Sequence, residues 1–278
     1  MTGRRRLRLD QLLVERGLVE SRARGQALLL AGKVRVGDGD AARVDRKAGE
    51  VVDAETPLAV EEPLPYVSRG GVKLRGALDD LQVDPAGLAC LDVGASTGGF
   101  TDLLLQRGAA RVYALDVGRG QLAERLRGDP RVVSLERTNA RSLGPGVLPE
   151  PVALSVVDVS FISLERVLGP VAGCSGPEGG RIVALVKPQF EAGRGGAPGG
   201  VVRDPAVHLA VLRRVAVHAL GLGLDLLGAT VSPLRGPQGN REFFLLLAVP
   251  AGWRLPAQAG PGPLPVAWEE RLAELAAP

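Results

Sequence analysis

Histidine, cysteine and lysine are scarce in this chain of 278 residues, which holds two, two and four of them. The cysteines, Cys90 and Cys174, sit in apolar surroundings without ligand spacing. That excludes a disulfide framework and, with so few histidines, makes a metal centre unexpected. No window approaches the length of uninterrupted apolar sequence that a membrane helix needs, and no apolar core follows the basic start. A soluble cytoplasmic protein is expected. Hydrophobic residues at 45% and charged residues at 23% exclude disordered and fibrous classes. They allow one large core, or one core with a small satellite.

The shortage of lysine is one side of a skew. The 34 basic residues comprise 30 arginines and only Lys33, Lys47, Lys73 and Lys187. A general bias toward arginine accounts for the ratio, and it leaves the surviving lysines to be explained one by one. Nor is the formal charge of +3 evenly spread: residues 1–35 carry nine basic side chains against three acids. The cluster Arg4, Arg5, Arg6, Arg8, Arg16, Arg22, Arg24, Lys33 and Arg35 suits a polyanion or an acidic surface, or is a solvated basic face.

Helical patterns at 8–16 and 21–31 are closed by Gly17 and Gly32, and Ser21 caps the second. Short strand-like runs follow at 33–36, 51–53 and 57–60. Glu61-Glu62-Pro63-Leu64-Pro65 reads as a stiff linker. A helix is expected over 72–81, and then strands at 90–93, 111–115, 132–135, 153–157 and 182–186. These alternate with helices starting near Gly99, Gln121, Ser163 and Asp204, the last with Pro205 at its first position. Such alternation means a parallel sheet wrapped by helices. Runs at 226–231 and 242–249 have no helix between them and should pair antiparallel at one side of the sheet. Residues 191–200 read as a flexible loop, 251–265 as a Pro/Gly-rich tail, and 266–277 as a short terminal helix.

The first strand ends in Leu91-Asp92-Val93-Gly94-Ala95-Ser96-Thr97-Gly98-Gly99-Phe100 and opens a helix, so a nucleotide-like cofactor belongs there. The glycines fit Asp-x-Gly-x-x-x-Gly and not Gly-x-Gly-x-x-Gly, which favours S-adenosylmethionine over NAD. Asp116, at the end of the second strand, is placed to accept ribose hydroxyls from either cofactor. Asn139 falls near the adenine or merely forms a turn. Asp158 and Lys187 close the fourth and fifth strands, Glu242 begins the last, and Lys73 lies in the first turn of the helix before strand one. All four should meet at the carboxyl edge of the sheet. Lysine, unlike arginine, is able to give up its proton there. All five phenylalanines, 100, 161, 190, 243 and 244, lie close to these motifs. Core packing explains at least three of them better than base stacking does.

On these residues the chain resembles the TlyA family of ribosomal RNA 2′-O-methyltransferases, whose members also carry the name haemolysin. The resemblance spans residues 7–250 and is carried by five stretches. They are Ser68-Arg69-Gly70-Gly71-Val72-Lys73-Leu74, Asp92 to Thr101 as above, Glu136-Arg137-Thr138-Asn139-Ala140-Arg141, Asp158-Val159-Ser160-Phe161-Ile162-Ser163-Leu164 and Leu185-Val186-Lys187-Pro188-Gln189-Phe190-Glu191. It implies an α/β fold: a class I, Rossmann-like S-adenosylmethionine-dependent methyltransferase sheet of the FtsJ/RrmJ type over 72–250. It further implies a small N-terminal α+β RNA-binding domain of the ribosomal-protein S-four type over 7–62, joined through a linker at 63–71.

The implied reaction is transfer of a methyl group to a ribose 2′-hydroxyl, on a cytidine of 16S or 23S ribosomal RNA, by a tetrad of Lys73, Asp158, Lys187 and Glu242. Cofactor contacts are expected from Asp92, Gly94, Ala95, Ser96, Thr97, Gly98, Gly99, Phe100, Asp116, Asn139 and Asp158. RNA contacts are expected from Arg5, Arg22, Arg24 and Lys33, with ribosomal RNA or a ribosomal subunit as partner. A membrane-active haemolysin, a non-catalytic RNA-binding assembly factor and a nicotinamide oxidoreductase are the alternatives. The role of residues 251–278 stays open.

Overall fold

The computed structural model describes residues 5–39, 42–60, 65–193, 196–257 and 260–278. Arg4 of the basic cluster, residues 61–64 of the linker, Arg194 and Gly195 of the glycine-rich loop and residues 258–259 of the tail lie outside the described residues. The chain divides into two compact units, Met1–Pro63 and Leu64–Pro278.

In the first unit, helices α1 (Leu9–Glu15) and α2 (Arg22–Leu30) pack beside two antiparallel strand pairs, β1 (Arg6–Arg8) with β3 (Val51–Asp53) and β2 (Val34–Val36) with β4 (Leu58–Val60). Ser21 caps α2 by accepting from the Arg24 N–H at 3.2 Å. Leu9, Leu12, Leu13, Leu28, Leu29, Val34, Val36 and Val52 form its core. Strand β1 goes unseen in the sequence reading, because Arg6-Leu7-Arg8 reads as charge. Its backbone pairing with β3 is set by tertiary contact, and one leucine is too little alternation to reveal it.

The second unit is built on a seven-stranded sheet ordered β10-β11-β9-β8-β5-β6-β7. Its strands are β5 (Ala89–Val93), β6 (Arg111–Leu115), β7 (Val132–Leu135), β8 (Leu154–Val157), β9 (Gly180–Val186), β10 (Asp225–Val231) and β11 (Phe243–Val249). Strands β5 to β9 pair parallel, and β11 lies antiparallel between β9 and β10. Successive strand residues feed opposite faces, as the pleat requires. Cys90, Val112, Val183, Leu185 and Phe244 pack with Leu74, Leu78, Leu103 and Leu104 on one side. On the other side Leu91, Tyr113, Ile182, Ala184 and Phe243 pack with Leu168, Val211, Leu212 and Leu272. The helices on these faces are α3 (Arg69–Asp80) and α4 (Gly99–Gln106) on the first, and α6 (Leu168–Ala172), α8 (Pro205–Gly221) and α9 (Val266–Ala276) on the second.

Three elements depart from the sequence reading. Helix α3 starts at Arg69 and not at residue 72, because Ser68 caps it on the Gly70 N–H and Gly71 fits where a Cβ would collide with the Tyr66 ring. Lys73 is therefore one turn inside the helix. The helix expected from Gln121 shrinks to one turn, α5 (Glu124–Arg127), because the Ala123 N–H is spent on Thr97 O at 3.1 Å, bracing the glycine loop. The helix expected from Ser163 splits into a 3-10 turn, Leu164–Arg166, and the short α6, which contains Pro170. One further turn, α7 (Pro188–Glu191), follows β9 directly.

Candidate active site

The strand order reverses between β5 and β8, and α/β sheets open a ligand crevice at the carboxyl ends of strands at such a point. Gly94, just past β5, has φ +87, and a Cβ there would collide with the carbonyl oxygen of Asp158, just past β8. Only glycine lets the two loops come this close. The Asp158 N–H in turn bonds Val93 O at 2.8 Å.

Two adjoining cavities open over this junction. The larger, about 820 Å³, is lined by Gly94, Ser96, Asp116, Asn139, Asp158 and Phe161, among others. The other, about 470 Å³, shares Gly94, Ser96 and Asp158 and adds Lys73, Ala95, Thr97, Gly99 and Phe100. Of the residues expected at the cofactor, Asp92 and Gly98 line neither cavity. Gly98 has φ +97 as the N-cap of α4, and a Cβ there would strike Leu126. Asp92 is fully buried, accepting from the Thr101 N–H at 2.9 Å and Thr101 Oγ1 at 2.7 Å, and burial pushes its carboxyl up to about 7. Both residues fix the start of α4 behind the site. The Asp116 carboxylate ties the glycine loop to the turn after β6, accepting from the Ser96 N–H at 2.8 Å and the Gly118 N–H at 2.7 Å. Asn139 caps its own turn through the Arg141 N–H at 3.0 Å while still facing the cavity.

The four charged residues form two ion pairs. Lys73 Nζ lies 2.5 Å from Glu242 Oε2, and the carboxylate is fully buried. Lys187 pairs with Asp158, and its Nζ also donates to Ser160 Oγ at 2.9 Å. A buried carboxylate needs its lone pairs filled. Glu242 gains a further bond from Gln189 Nε2 at 3.3 Å, a partner the sequence reading did not name. The signal for it was its place two residues after Lys187.

Phe100, Phe243 and Phe244 are buried in the core, as expected of at least three of the five. Phe161 is 90% exposed at the cavity rim, with φ +63. Its ring centroid lies 4.8 Å from that of Phe190, which itself lies 5.9 Å from Lys187 Nζ.

In the first unit, Arg5 bonds Glu15 at 2.8 and 2.9 Å while two-thirds exposed, and Arg22 bonds Asp10 at 3.0 Å. Asp10 is completely buried among Arg8, Arg22 and Gln26, and the Arg8 guanidinium above all holds its carboxyl far below the usual range. Nothing in the sequence marks this hub, because an acid inside an apolar helix pattern looks solvated. Arg24 presents an exposed side chain next to the Ser21 cap, and Lys33 follows the turn that closes α2.

Residues 66–249 match the family model described as FtsJ-like methyltransferase. The chain is 51% identical over 246 residues to the 16S/23S rRNA (cytidine-2′-O)-methyltransferase TlyA of Mycobacterium tuberculosis, covering 87% of this chain and 90% of that protein. It is 38% identical to Hemolysin A of Brachyspira hyodysenteriae, over 85% of this chain and 98% of that one. A solved structure from Streptococcus thermophilus, described as a candidate hemolysin, shares 39% identity and a TM-score of 0.70 over 97% of this chain and 95% of its own. With the strand order, the glycine junction and the paired lysines in place, the chain belongs to the FtsJ-like methyltransferase family, in its TlyA group.

Proposed function

We propose that this protein methylates the ribose 2′-hydroxyl of a cytidine in 16S or 23S ribosomal RNA, in the cytoplasm, with S-adenosylmethionine as methyl donor. The observation that carries the reading is the pair of Lys–carboxylate contacts, Lys187–Asp158 and Lys73–Glu242, beside a cavity that ends in the Gly94–Asp158 junction. The cavity's volume and its mixed lining suit an adenosine-bearing cofactor: Asp116 would offer its remaining lone pairs to the ribose hydroxyls, and Asn139 would lie toward the adenine. Gly94, Ala95, Ser96, Thr97 and Gly99 leave room for the amino-acid end. The cofactor supplies an electrophilic methyl group. In-line displacement then needs chiefly that the nucleophilic oxygen be positioned.

Lys187 steers the 2′-hydroxyl and, entering the step as the neutral amine, takes its proton to become the ammonium that Asp158 pairs with. Asp158 orients Lys187 and would lie beside the methyl end of the cofactor. Glu242 holds Lys73, whose ammonium adds positive charge at the carboxyl edge. Exposed Phe161 offers its ring to the base of the target nucleotide, since aromatic rings stack on any base.

The unit Met1–Pro63 acts as the S-four-type RNA-binding domain, gripping phosphates through Arg5, Arg22, Arg24 and Lys33. Ribosomal RNA, alone or within a subunit, is the partner. Incubation of ribosomal subunits with methyl-tritiated cofactor tests the assignment. Label should enter RNA with the wild-type protein and fall at least about 100-fold with Lys187→Ala, the range that loss of a general base produces. Full labelling by Lys187→Ala would remove Lys187 from the reaction.

A further inference from the structure

Glu191 ends the turn that Lys187 begins, and it is only 4% exposed. Its carboxylate accepts from Ser163 Oγ at 2.8 Å and from the Leu164 N–H at 2.8 Å. Arg214 on α8 approaches it at 3.4 Å, donates to the Glu191 carbonyl oxygen and pairs with Glu165 at 3.0 Å. A charge this deep is stable only when its bonds are made, and two of these bonds run to the loop that follows β8. The same loop is tied at its start by Lys187 to Asp158 and Ser160. Between the two ties stands Phe161, exposed and in the left-handed backbone region, which aromatic residues rarely occupy. Strained backbone of this kind persists only where its surroundings fix it, and it concentrates at functional sites. The Phe190 ring against Phe161 belongs to the turn that ends in Glu191.

We propose that Glu191 is a positioning residue: with Ser163 and Arg214 it locks the 161–164 end of the loop so that Phe161 presents its ring to the target base, while Asp158 at the other end is held by its own N–H on Val93 O and by Lys187. The proposal rests on the reading of Phe161 as the base-facing residue. It assigns Glu191 an effect on RNA engagement and none of its own on the cofactor.

The test is steady-state methylation of undermethylated ribosomal subunits by the full chain, with cofactor affinity measured separately by calorimetry. Variants are Phe161→Ala, Glu191→Ala, Glu191→Gln, Ser163→Ala and the Phe161→Ala/Glu191→Ala pair. Phe161→Ala should raise KM for subunits about tenfold, as expected for one lost stack. Glu191→Ala should do the same with cofactor Kd unchanged within about twofold, and the pair should be no worse than Phe161→Ala alone, because both act through one ring. Glu191→Gln should recover most of the loss, since its amide oxygen still accepts from the Leu164 N–H. If Glu191→Ala does not fold, Ser163→Ala, which removes the bond to Glu191 together with the Ser163 cap on the Glu165 N–H, should raise KM about two- to threefold. A normal KM for Glu191→Ala, or for Ser163→Ala in its place, beside an impaired Phe161→Ala overturns the role of Glu191 alone. A normal KM for Phe161→Ala overturns the base-stacking reading and the inference with it. Additive losses in the pair would place Glu191's effect elsewhere and also overturn it.

Discussion

At the residue scale, scarcity has a local explanation at two of the four lysines. Lys73 and Lys187 each meet a carboxylate beside the cavities, whereas Lys47 lies in the other unit beside the Arg46–Glu50 pair. An arginine in place of Lys187 would keep the cation and lose the transferable proton. Lys187→Arg is therefore expected to retain cofactor affinity within about twofold and to lose about 100-fold or more in kcat, measured by calorimetry and single-turnover transfer.

Asp92 carries a pH signature. Its carboxyl is raised by burial to about 7, so the folded state keeps a proton that the unfolded chain releases near pH 4. Stability should fall as pH rises from about 4 to 7 and stay lowered above that, by up to about 4 kcal/mol for a shift of this size. Asp92→Asn keeps an acceptor for Thr101 and should flatten that slope, seen by denaturant titration at pH 5 and pH 8. An unchanged slope would mean that Asp92 ionises as freely in the fold as out of it. Asp158, Lys187 and Glu242 were legible because each sits beside a strand end, and Lys73 because it lies in the helix that precedes β5. Asp10 and Glu191 were not, because their burial depends on partners far away in sequence: Arg22 and Gln26 for the first, Ser163 and Arg214 for the second.

At the element scale, the parallel strands and the antiparallel β10–β11 pair were readable from apolar runs and the missing helix between them. What escaped was decided by tertiary contact: β1 by its pairing, α3's early start by the fit of Gly71 against Tyr66, and α5's shortness by the Ala123–Thr97 bond. The junction of the β5 and β8 loops gives the sharpest expectation. Gly94→Ala places a methyl group on the Asp158 carbonyl at a φ of +87, so the loops must part. Cofactor affinity should fall more than about tenfold, with a smaller relative effect on thermal stability, because the clash falls on the loops past the strand ends and not within the strands. Wild-type affinity would show that the cofactor does not rest on this junction.

The terminal helix α9 also has a place the sequence left open. Leu272, Leu275 and Ala276 are buried against the sheet's second face, Arg213 pairs with Glu269 at 2.8 Å, and Arg241, next to Glu242, donates to the Ala277 carbonyl oxygen. The end of the tail thus braces the start of β11.

At the scale of the whole molecule, each unit has its own core, and both Lys–carboxylate pairs lie within Leu64–Pro278. Deleting residues 1–63 should leave a folded protein that binds cofactor normally but holds RNA weakly. Losing four phosphate contacts should reduce the slope of log affinity against log salt by about 3. Filter binding across salt concentrations checks this, and loss of cofactor binding would count against two separable units.

Methyl transfer to a ribose oxygen driven by the Lys187–Asp158 pair is checked by mapping where the methyl group lands. Ribosomal RNA treated with the protein and S-adenosylmethionine, then digested and analysed by mass spectrometry, should yield 2′-O-methylcytidine with wild-type protein and none above background with Lys187→Ala. A methyl group on a base, or 2′-O-methylation undiminished in Lys187→Ala, would contradict it.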